Sequence, residues 1–387
     1  MKNMKNITFI LMGGLFFGLA SCAEKEATVE PTPMDPFAVK TEKMTVKVDT
    51  LFTELENPWA MAWLPDGRML VAERKGEILI FKDDKFTGEK LTGVPEVHAV
   101  NQAGLLDIVL HPDYANNGWI YLAYAKNLGK GGALAIMRAK LEGNALTNQE
   151  ELMVNLPEWE GGRHFGSRIV FDKDNYLYYS NGDKGSRPVN AQELNNAHGK
   201  IHRIHDDGRI PEDNPFVNTP GAVKSIWTYG NRNPQGMVYD ASNNRLWAVE
   251  HGPMGGDELN LIEKGKNYGW PVITYGINYD GKPISDITEK EGMEQPITYW
   301  VPSIATGGLE LVTSDKYPAW KGNLMVTALA KMHIARIELD GTKYVGEEKL
   351  FQDLGRVRQI AESPEGYLYA ITDGSGLLVK LIPQEQE

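Results

Sequence analysis

The sequence has a single cysteine, no excess of basic residues and no apolar run long enough to cross a bilayer. The lone Cys22 excludes an intrachain disulfide and any metal site built from cysteines. Lys and Arg number 40 against 52 Asp and Glu, which gives a net charge of −12. This balance argues against nucleic-acid binding, because such proteins concentrate basic charge over a domain. It leaves room for a small basic pocket that binds an anionic ligand.

The N-terminal segment predicts a lipoprotein leader followed by a tether. Two lysines precede an apolar run at residues 7–19, which has secretory length and is too short to span a bilayer. Residues 19–22, Leu-Ala-Ser-Cys, resemble a bacterial lipobox, and a plain secretory signal with an incidental cysteine is the alternative. We therefore predict a signal peptide at residues 1–21, and a lipidated Cys22 with a flexible tether at residues 22–47. The protein is then extracytoplasmic and held at a bacterial membrane, on its periplasmic face or at the cell surface, by lipid alone.

The remaining chain has the composition and the repeats of an all-β protein. Forty glycines, 21 prolines and many aromatic residues favour turns and short strands over long helices. An apolar strand, a turn and a second apolar strand recur six times, with the turns near residues 66, 113, 174, 240, 316 and 365. Variable spacing of this size fits blades of four strands with insertions. We predict a six-bladed β-propeller over residues 48–387, with hairpins in two β-sandwiches as the alternative.

Two loop segments carry candidate polar chemistry. His164 lies among glycines in residues 161–168, where a ligand can approach the backbone closely. Imidazole suits proton transfer near neutral pH, so His164 is a candidate general base, with a structural or solvated histidine as the alternative. Residues 230–236 combine Arg232 with three side-chain amides. That combination suits a polar ligand with several oxygens, and an Asx-rich turn is the alternative.

Residues 250–258 and 267–271 indicate a cation site. Their glycines and prolines expose carbonyl oxygens, and Asp257 and Glu258 add carboxylates. Ca²⁺ binds mixed oxygen ligands of this kind, whereas transition metals fit less well because His251 alone offers nitrogen in these segments. The spacing does not match an EF-hand, so composition alone indicates the site without establishing it.

Three cations towards the C-terminus indicate an anionic ligand. Arg356 and Arg358 lie two apart on a predicted strand, so both should point to one face, and Lys331 precedes them. Like charges side by side destabilise an empty site, and guanidinium groups pair well with carboxylates or phosphates. A solvated basic edge is the alternative.

The motifs resemble, in their order along the chain, those of one enzyme family. The matching segments are residues 102–106, 164–168, 232–236, 250–253, 256–258, 267–271, 302–305 and 356–373. Together they are similar to the soluble quinoprotein glucose/sorbosone dehydrogenases, especially the bacterial aldose sugar dehydrogenases, over roughly residues 50 to 383. The resemblance implies a six-bladed propeller with pyrroloquinoline quinone, PQQ, in its central mouth.

The resemblance also implies a role for each matching residue. His164 would take the proton of the anomeric hydroxyl, and Arg232 would polarise the quinone carbonyl that accepts hydride. The cofactor would be held by Gln102, Arg232, Asn233, Tyr279, Lys331, Arg356 and Arg358. The backbone carbonyls of Gly252 and Pro253 would bind a Ca²⁺ ion that bridges to PQQ. Glu258 and Tyr268 would bind a second, structural Ca²⁺ ion.

The implied activity is oxidation of the C1 hydroxyl of aldose sugars to lactones, or of related aldehydes, by hydride transfer to PQQ. The electron acceptor is unknown, no nucleic-acid partner is expected, and the membrane is contacted through the lipid anchor only. Arg163 stands beside the candidate base where relatives more often carry Asp or Asn, which leaves the sugar open. The alternatives are a non-redox surface propeller that binds a glycan or protein, and a Ca²⁺-dependent, lactonase-like hydrolase.

Overall fold

The computed structural model describes residues 36–185, 188–352 and 354–384. Within these ranges the only helices are one turn, α1 (Tyr114–Asn117), and a 3₁₀ helix at Pro188–Ala191; the rest is strand and loop. No helix among the described residues is long and apolar enough to cross a membrane. The predicted signal peptide and Cys22 lie outside the described residues.

The strands of the first three complete sheets follow one another along the chain. Two strands precede these sheets, β1 (Phe37–Lys40) and β2 (Thr45–Phe52). The first sheet consists of β3 (Pro58–Trp63), β4 (Arg68–Glu73), β5 (Glu77–Lys82) and β6 (Lys85–Lys90). The second consists of β7 (Leu105–Leu110), β8 (Trp119–Asn127), β9 (Gly132–Glu142) and β10 (Ala145–Trp159). The third consists of β11 (Ile169–Phe171), β12 (Leu177–Asn181), β13 (Lys200–Ile204) and β14 (Ile226–Tyr229).

The remaining strands form the last three sheets. The fourth consists of β15 (Pro234–Asp240), β16 (Arg245–Glu250), β17 (Asp257–Ile262) and β18 (Thr298–Trp300). The fifth consists of β19 (Thr306–Leu311), β20 (Leu324–Ala328), β21 (His333–Asp340) and β22 (Lys343–Leu350). The sixth begins with β23 (Arg356–Glu362), β24 (Leu368–Asp373) and β25 (Leu378–Pro383).

The sixth sheet is completed by the N-terminal strands, which close the ring. Its order is β1-β2-β25-β24-β23, so β2 pairs antiparallel with β25. Val46 and Val48 of β2 are fully buried in the core that the fifth and sixth sheets share. Burying each valine contributes roughly 1.5–3 kcal/mol, so the closing strand stabilises the ring. The prediction of an all-β, six-bladed β-propeller is confirmed.

The predicted tether is wrong at its C-terminal end. The sequence predicts a tether at residues 22–47, yet β1 and the first part of β2 lie within that range. Buried and partly exposed residues alternate along β2, which is the period-2 pattern of a strand with one face in the core. The nearby prolines obscure this short pattern in the sequence.

The six predicted turns all lie at one end of the ring. Each turn comes between the first and second strand of a sheet, or at the end of that first strand. Because the first strands run towards this end, the loops that lead into them gather at the opposite end. Gln102, His164, Arg232 and Asn233 lie in those loops. Gly252, Pro253 and Lys331 lie at the same end, in loops between the second and third strands of a sheet.

Candidate active site

Loops from several sheets bring the predicted site residues to one mouth of the ring. Gln102 precedes β7, His164 precedes β11, and Arg232 and Asn233 directly precede β15. Arg356 is the first residue of β23. The site is therefore assembled from segments far apart in the chain, each positioned by the start of a buried strand.

His164 is held by its ring and by its backbone. Its Nδ1 lies 2.6 Å from Oδ1 of Asp183, and its backbone N–H donates to Oε1 of Gln102 at 3.0 Å. The backbone φ is +53°, in the left-handed region, and the flanking Gly162 and Gly166 also have positive φ. Burial and the nearby Arg232 cation lower the pKa of His164 below its ordinary value of 6.5, although Asp183 opposes this. The ring is therefore neutral at neutral pH, as a base requires.

Asp183 orients the imidazole and is itself fixed. Its Oδ2 accepts from Nε1 of Trp270 at 2.7 Å, and its Oδ1 also accepts from the backbone N–H of Gly185 at 2.8 Å. Burial alone would raise the pKa of Asp183, but the hydrogen bond to His164 and the Arg232 cation lower it. Asp183 is thus an ionised carboxylate that holds the proton on Nδ1 of His164, which leaves Nε2 as the basic nitrogen.

Arg232 places a buried cation beside this pair. Its Nη1 donates to the carbonyls of His251 and Gly252 at 2.9 and 2.7 Å, and its backbone N–H donates to Glu250. Its guanidinium lies 5.2 Å from the ring centre of Trp270. Nε of Arg232 is buried and has no hydrogen bond within the described residues. A donor in that state fits a bound group that supplies an acceptor.

Arg358 is a second buried cation with spare hydrogen-bonding capacity. It stacks 3.8 Å over the ring of Trp59, and its Nη1 donates to Oε1 of Gln235 at 2.9 Å. Burial and the neighbouring Arg356 lower its pKa to about 10. Both arginines share Asp373, at 3.5 Å from Arg358 and 3.6 Å from Arg356. One carboxylate for two guanidinium groups leaves a net positive charge, and Nε of Arg358 has no partner in the described chain.

Gln235 joins the two cation groups. Its Oε1 accepts from Arg358 and also lies 3.0 Å from Nε2 of His251. Burial, Arg232 and Arg358 together hold the pKa of His251 well below its ordinary range. The neutral ring therefore donates from Nε2, while the His251 carbonyl accepts from Arg232. This chain of contacts fixes the relative positions of the two arginines.

The predicted ligands of the bridging Ca²⁺ lie on a tightly folded turn. A side chain at Gly252 would approach the backbone of residues 255 and 256 to within 2.3 Å, so only glycine fits. Asp257 accepts from the Gly252 N–H at 2.8 Å and from the Ser303 hydroxyl, which ties this turn to the loop before β19. The Gly252 carbonyl already accepts from Arg232, and one lone pair remains for a cation. Pro253, the next residue, is buried.

The buried carboxylate of Glu250 and the partly buried carboxylate of Glu258 lie beside this turn and share a neighbour, Asn260. Nδ2 of Asn260 lies 3.3 Å from Glu250 and 3.2 Å from Glu258, so it contacts both groups. Burial raises the pKa of both carboxyls, and the charge of Glu250 raises that of Glu258 further. Oδ1 of Asn260 is buried without a hydrogen bond among the described residues. Neither carboxylate forms a salt bridge within the described residues, and together with the Asn260 oxygen these groups fit a hard cation such as Ca²⁺. Glu258 and Tyr268 line the same small cavity.

Comparison with known proteins identifies the family. A family model described as glucose/sorbosone dehydrogenase matches residues 55–380. The chain belongs to this family. It is 42% identical to the aldose sugar dehydrogenase of Escherichia coli, over 88% of this chain and 94% of that protein. The prediction of an oxidoreductase of the sugar dehydrogenase type is confirmed.

Two solved structures of related dehydrogenases share the fold. The apo form of the Escherichia coli aldose sugar dehydrogenase matches with a TM-score of 0.84 and 40% identity, covering 88% of this chain and 100% of that one. The PQQ-bound aldose sugar dehydrogenase of Streptomyces coelicolor matches with a TM-score of 0.72 and 27% identity, covering 89% and 100%.

Not every residue predicted from the glucose/sorbosone dehydrogenase motifs lies in the buried cluster. Tyr279 is 75% exposed, in the long segment between β17 and β18, and Lys331 is exposed in the loop between β20 and β21. Gln102 supports the His164 backbone, and Oδ1 of Asn233 accepts from the Gly166 N–H at 3.0 Å. The side chains of Gln102 and Asn233 therefore hold the loop that carries His164.

The sequence motifs of the family left three important residues without a role. Asp183 follows the buried strand β12 by two residues, a position where polar side chains reach the mouth, and this signal could have identified it. Gln235 lies inside a motif that drew attention to Arg232 instead. Trp59 carries no local signal, because only the closed ring brings it under Arg358.

Proposed function

We propose that this chain oxidises the C1 hydroxyl of aldose sugars to lactones, or oxidises related aldehydes, with PQQ as the hydride acceptor. The observation that carries this proposal is the buried contact of 2.6 Å between His164 and Asp183, beside the Arg232 cation, in a sugar dehydrogenase fold. The PQQ-bound state of the Streptomyces coelicolor relative supports the choice of cofactor.

The charges of the mouth suit a cofactor with three carboxylates. The Nε atoms of Arg232 and Arg358 are buried donors that lack partners within the described residues. Arg356 shares the single carboxylate Asp373 with Arg358. Carboxylates on a ligand would accept charge-assisted hydrogen bonds from these arginines and so supply the missing acceptors. The remaining contacts to PQQ are assigned to Gln102, Asn233, Tyr279 and Lys331.

His164 moves the proton in this proposal. PQQ, when bound, supplies the two-electron acceptor for the hydride from C1. His164 takes the hydroxyl proton of the sugar on Nε2, since its Nδ1 is engaged with Asp183. The ionised Asp183 stabilises the imidazolium that forms, and burial excludes competing water from the ring. Arg232 orients and polarises the group that accepts the hydride.

A direct test combines reconstitution with a substrate panel. The purified chain should have little dehydrogenase activity alone and should gain it with PQQ plus Ca²⁺, measured with an artificial electron acceptor and a panel of aldoses and aldehydes. Absence of activity on every substrate, after a visible absorption spectrum has verified PQQ uptake, would instead favour a non-redox propeller that binds a glycan or a protein.

Ca²⁺ should stabilise the fold through Glu258. We propose that Glu258 and the backbone carbonyl of Tyr268 hold a structural Ca²⁺, since the Tyr268 hydroxyl is committed to Leu261 and Glu263. The carbonyls of Gly252 and Pro253 are assigned to a second Ca²⁺ at the mouth. Chelation should lower the melting temperature by several degrees, because a bound ion stabilises only the folded chain.

Glu258→Gln is the variant that tests the structural Ca²⁺ site. It should melt at the same temperature with and without Ca²⁺, in calorimetric scans of the protein without PQQ. Glu289→Gln, an exposed change in the segment after β17, is the matched control and should keep the Ca²⁺ response of the unmodified protein. An undiminished Ca²⁺ response in Glu258→Gln would remove Glu258 from the ligand set.

Lipidation of Cys22 should decide where the protein fractionates. We propose an extracytoplasmic protein that is anchored to the membrane by lipid on this residue alone. Cys22→Ala should therefore move the protein from the membrane fraction to the soluble fraction, measured by immunoblotting after cell fractionation. Membrane association that persists in the Cys22→Ala variant would show that another feature holds the protein there.

A further inference from the structure

A further buried cation, Lys184, lies on the turn next to the proposed base. Its side chain is 1% exposed, and its Nζ donates to Oδ1 of Asn181 at 2.7 Å. Nζ also lies 3.7 Å from the centre of the Phe165 ring. Within the described ranges no carboxylate oxygen comes within 4.0 Å of Nζ, so this ammonium group has no direct ion pair. A buried lysine without one is costly, and such groups are often functional.

The backbone places Lys184 on the turn that wraps His164. Asp183 contacts Nδ1 of the imidazole, and a side chain at Gly185 would lie 3.2 Å from the Nδ1 and Cε1 atoms of His164. Lys184 itself has a φ of +69°, in the left-handed region that favours glycine. A residue of such bulk, held in this conformation and pointed inwards, indicates that its side chain matters.

Lys184 is a charge that opposes protonation of His164. Burial and the charges of Arg232 and Lys184 lower the pKa of His164, against the effect of Asp183. Burial lowers the pKa of Lys184 to about 7, and Asp183 opposes this. The hydrogen bond from Nζ to Asn181 and the contact of Nζ with the face of the Phe165 ring favour the charged ammonium form of Lys184. The charge of Lys184 also lowers the pKa values of His198 and His202. A charge on His164 lowers the pKa of His251.

The second buried lysine nearby has a different environment. Nζ of Lys200 donates to three backbone carbonyls, those of Asn190, Ala191 and His198, at 2.6 to 3.0 Å. All three ammonium protons are therefore used to hold loop backbone, which explains its burial structurally. Lys184 donates one hydrogen bond, to the side chain of Asn181, and stacks on a ring, so structure alone does not account for its charge.

We propose that Lys184 is a positioning residue that keeps His164 neutral, its buried ammonium group disfavouring a second positive charge on the imidazole. This inference rests on the role of His164 as the base in the proposed function. Removing the charge should raise the His164 pKa by roughly one pH unit, as expected for a nearby unit charge at an effective dielectric constant of about 20.

The test follows the His164 ring by NMR in protein without cofactor. In the unmodified protein the ring should titrate below pH 6.5, the ordinary value. Lys184→Met and Lys184→Gln should both raise that pKa by roughly one pH unit. The glutamine can keep a hydrogen bond to Asn181, so an equal shift in both variants assigns the effect to charge. Lys200→Met is the matched control and should leave the His164 pKa unchanged.

Turnover gives a second readout. In PQQ-loaded enzyme, the acidic limb of the plot of kcat/KM against pH should shift to higher pH by roughly one pH unit in both Lys184 variants. An unchanged His164 pKa in a folded Lys184 variant would overturn the proposal, as would failure of both variants to fold, which would assign Lys184 a structural role. The NMR result does not depend on turnover. An inactive enzyme with the shifted pKa would therefore refute the proposed function and leave this electrostatic link standing.

Discussion

Replacing His164 with alanine should lower turnover by about 10²–10⁴-fold and leave PQQ binding nearly unchanged. The reason is that His164 Nδ1 contacts Asp183 at 2.6 Å, so its remaining nitrogen can accept the substrate proton. The unmodified enzyme should keep its activity above pH 6.5 and lose it as the medium is acidified through the lowered His164 pKa. Steady-state rates at saturating sugar, together with PQQ binding by fluorescence titration, would measure both effects.

A matched control separates loss of the base from loss of any histidine. His205 follows β13 at the far end of the ring, where the predicted turns lie, so His205→Ala should keep full turnover. Asp183→Asn should reduce turnover with little change in PQQ affinity, because the amide cannot stabilise the imidazolium as a carboxylate does. Full turnover in His164→Ala would place the base elsewhere.

Replacing Arg358 with alanine should act mainly on the cofactor. This arginine is buried over Trp59 and has an unpartnered Nε among the described residues, so its proposed role is a charge-assisted contact to PQQ. Losing that contact should weaken PQQ binding on the order of 2–3 kcal/mol, roughly 30- to 150-fold in Kd. Equilibrium titration of PQQ in the presence of Ca²⁺ would measure the loss.

Arg356→Ala serves as the comparison. Its side chain is 43% exposed and shares the same carboxylate, Asp373, so solvent screens its charge and the loss of affinity should be smaller. Equal PQQ affinity in Arg358→Ala and the unmodified protein would contradict a contact between Arg358 and the cofactor.

The fold could be predicted from the sequence because each sheet repeats one local pattern. An apolar strand, a turn and a second strand recur, and the six turns seen in the sequence lie between the first two strands of the sheets. Closure of the ring could not be predicted this way. Lys47 of β2 pairs with Ile382 of β25, more than 300 residues later. No local sequence feature of either strand identifies the strand with which it pairs.

The site was predictable in part, for a related reason. His164, Arg232 and Arg358 lie in short motifs whose order matches the family. Asp183 was not singled out, although it makes the closest contact to the base, because a single aspartate after a strand is common.

For Arg356 and Arg358, the prediction that both side chains point the same way is right, but regular alternation along a strand explains it only in part. Arg356 and Arg358 were expected on one face of a regular strand, and both do reach Asp373. The strand has an irregularity in register between Val357 and Gln359, so strict alternation does not explain the shared direction. The internal carboxylate was also not expected, because the sequence does not show which strand pairs with Arg356.

Titration of PQQ against His164→Ala and Arg358→Ala, with turnover followed throughout, tests most directly whether proton transfer and cofactor binding belong to different residues. Saturating PQQ should restore much of the turnover of Arg358→Ala and none of that of His164→Ala. Restoration of His164→Ala by excess PQQ would contradict its role as the base and would show that His164 binds the cofactor instead.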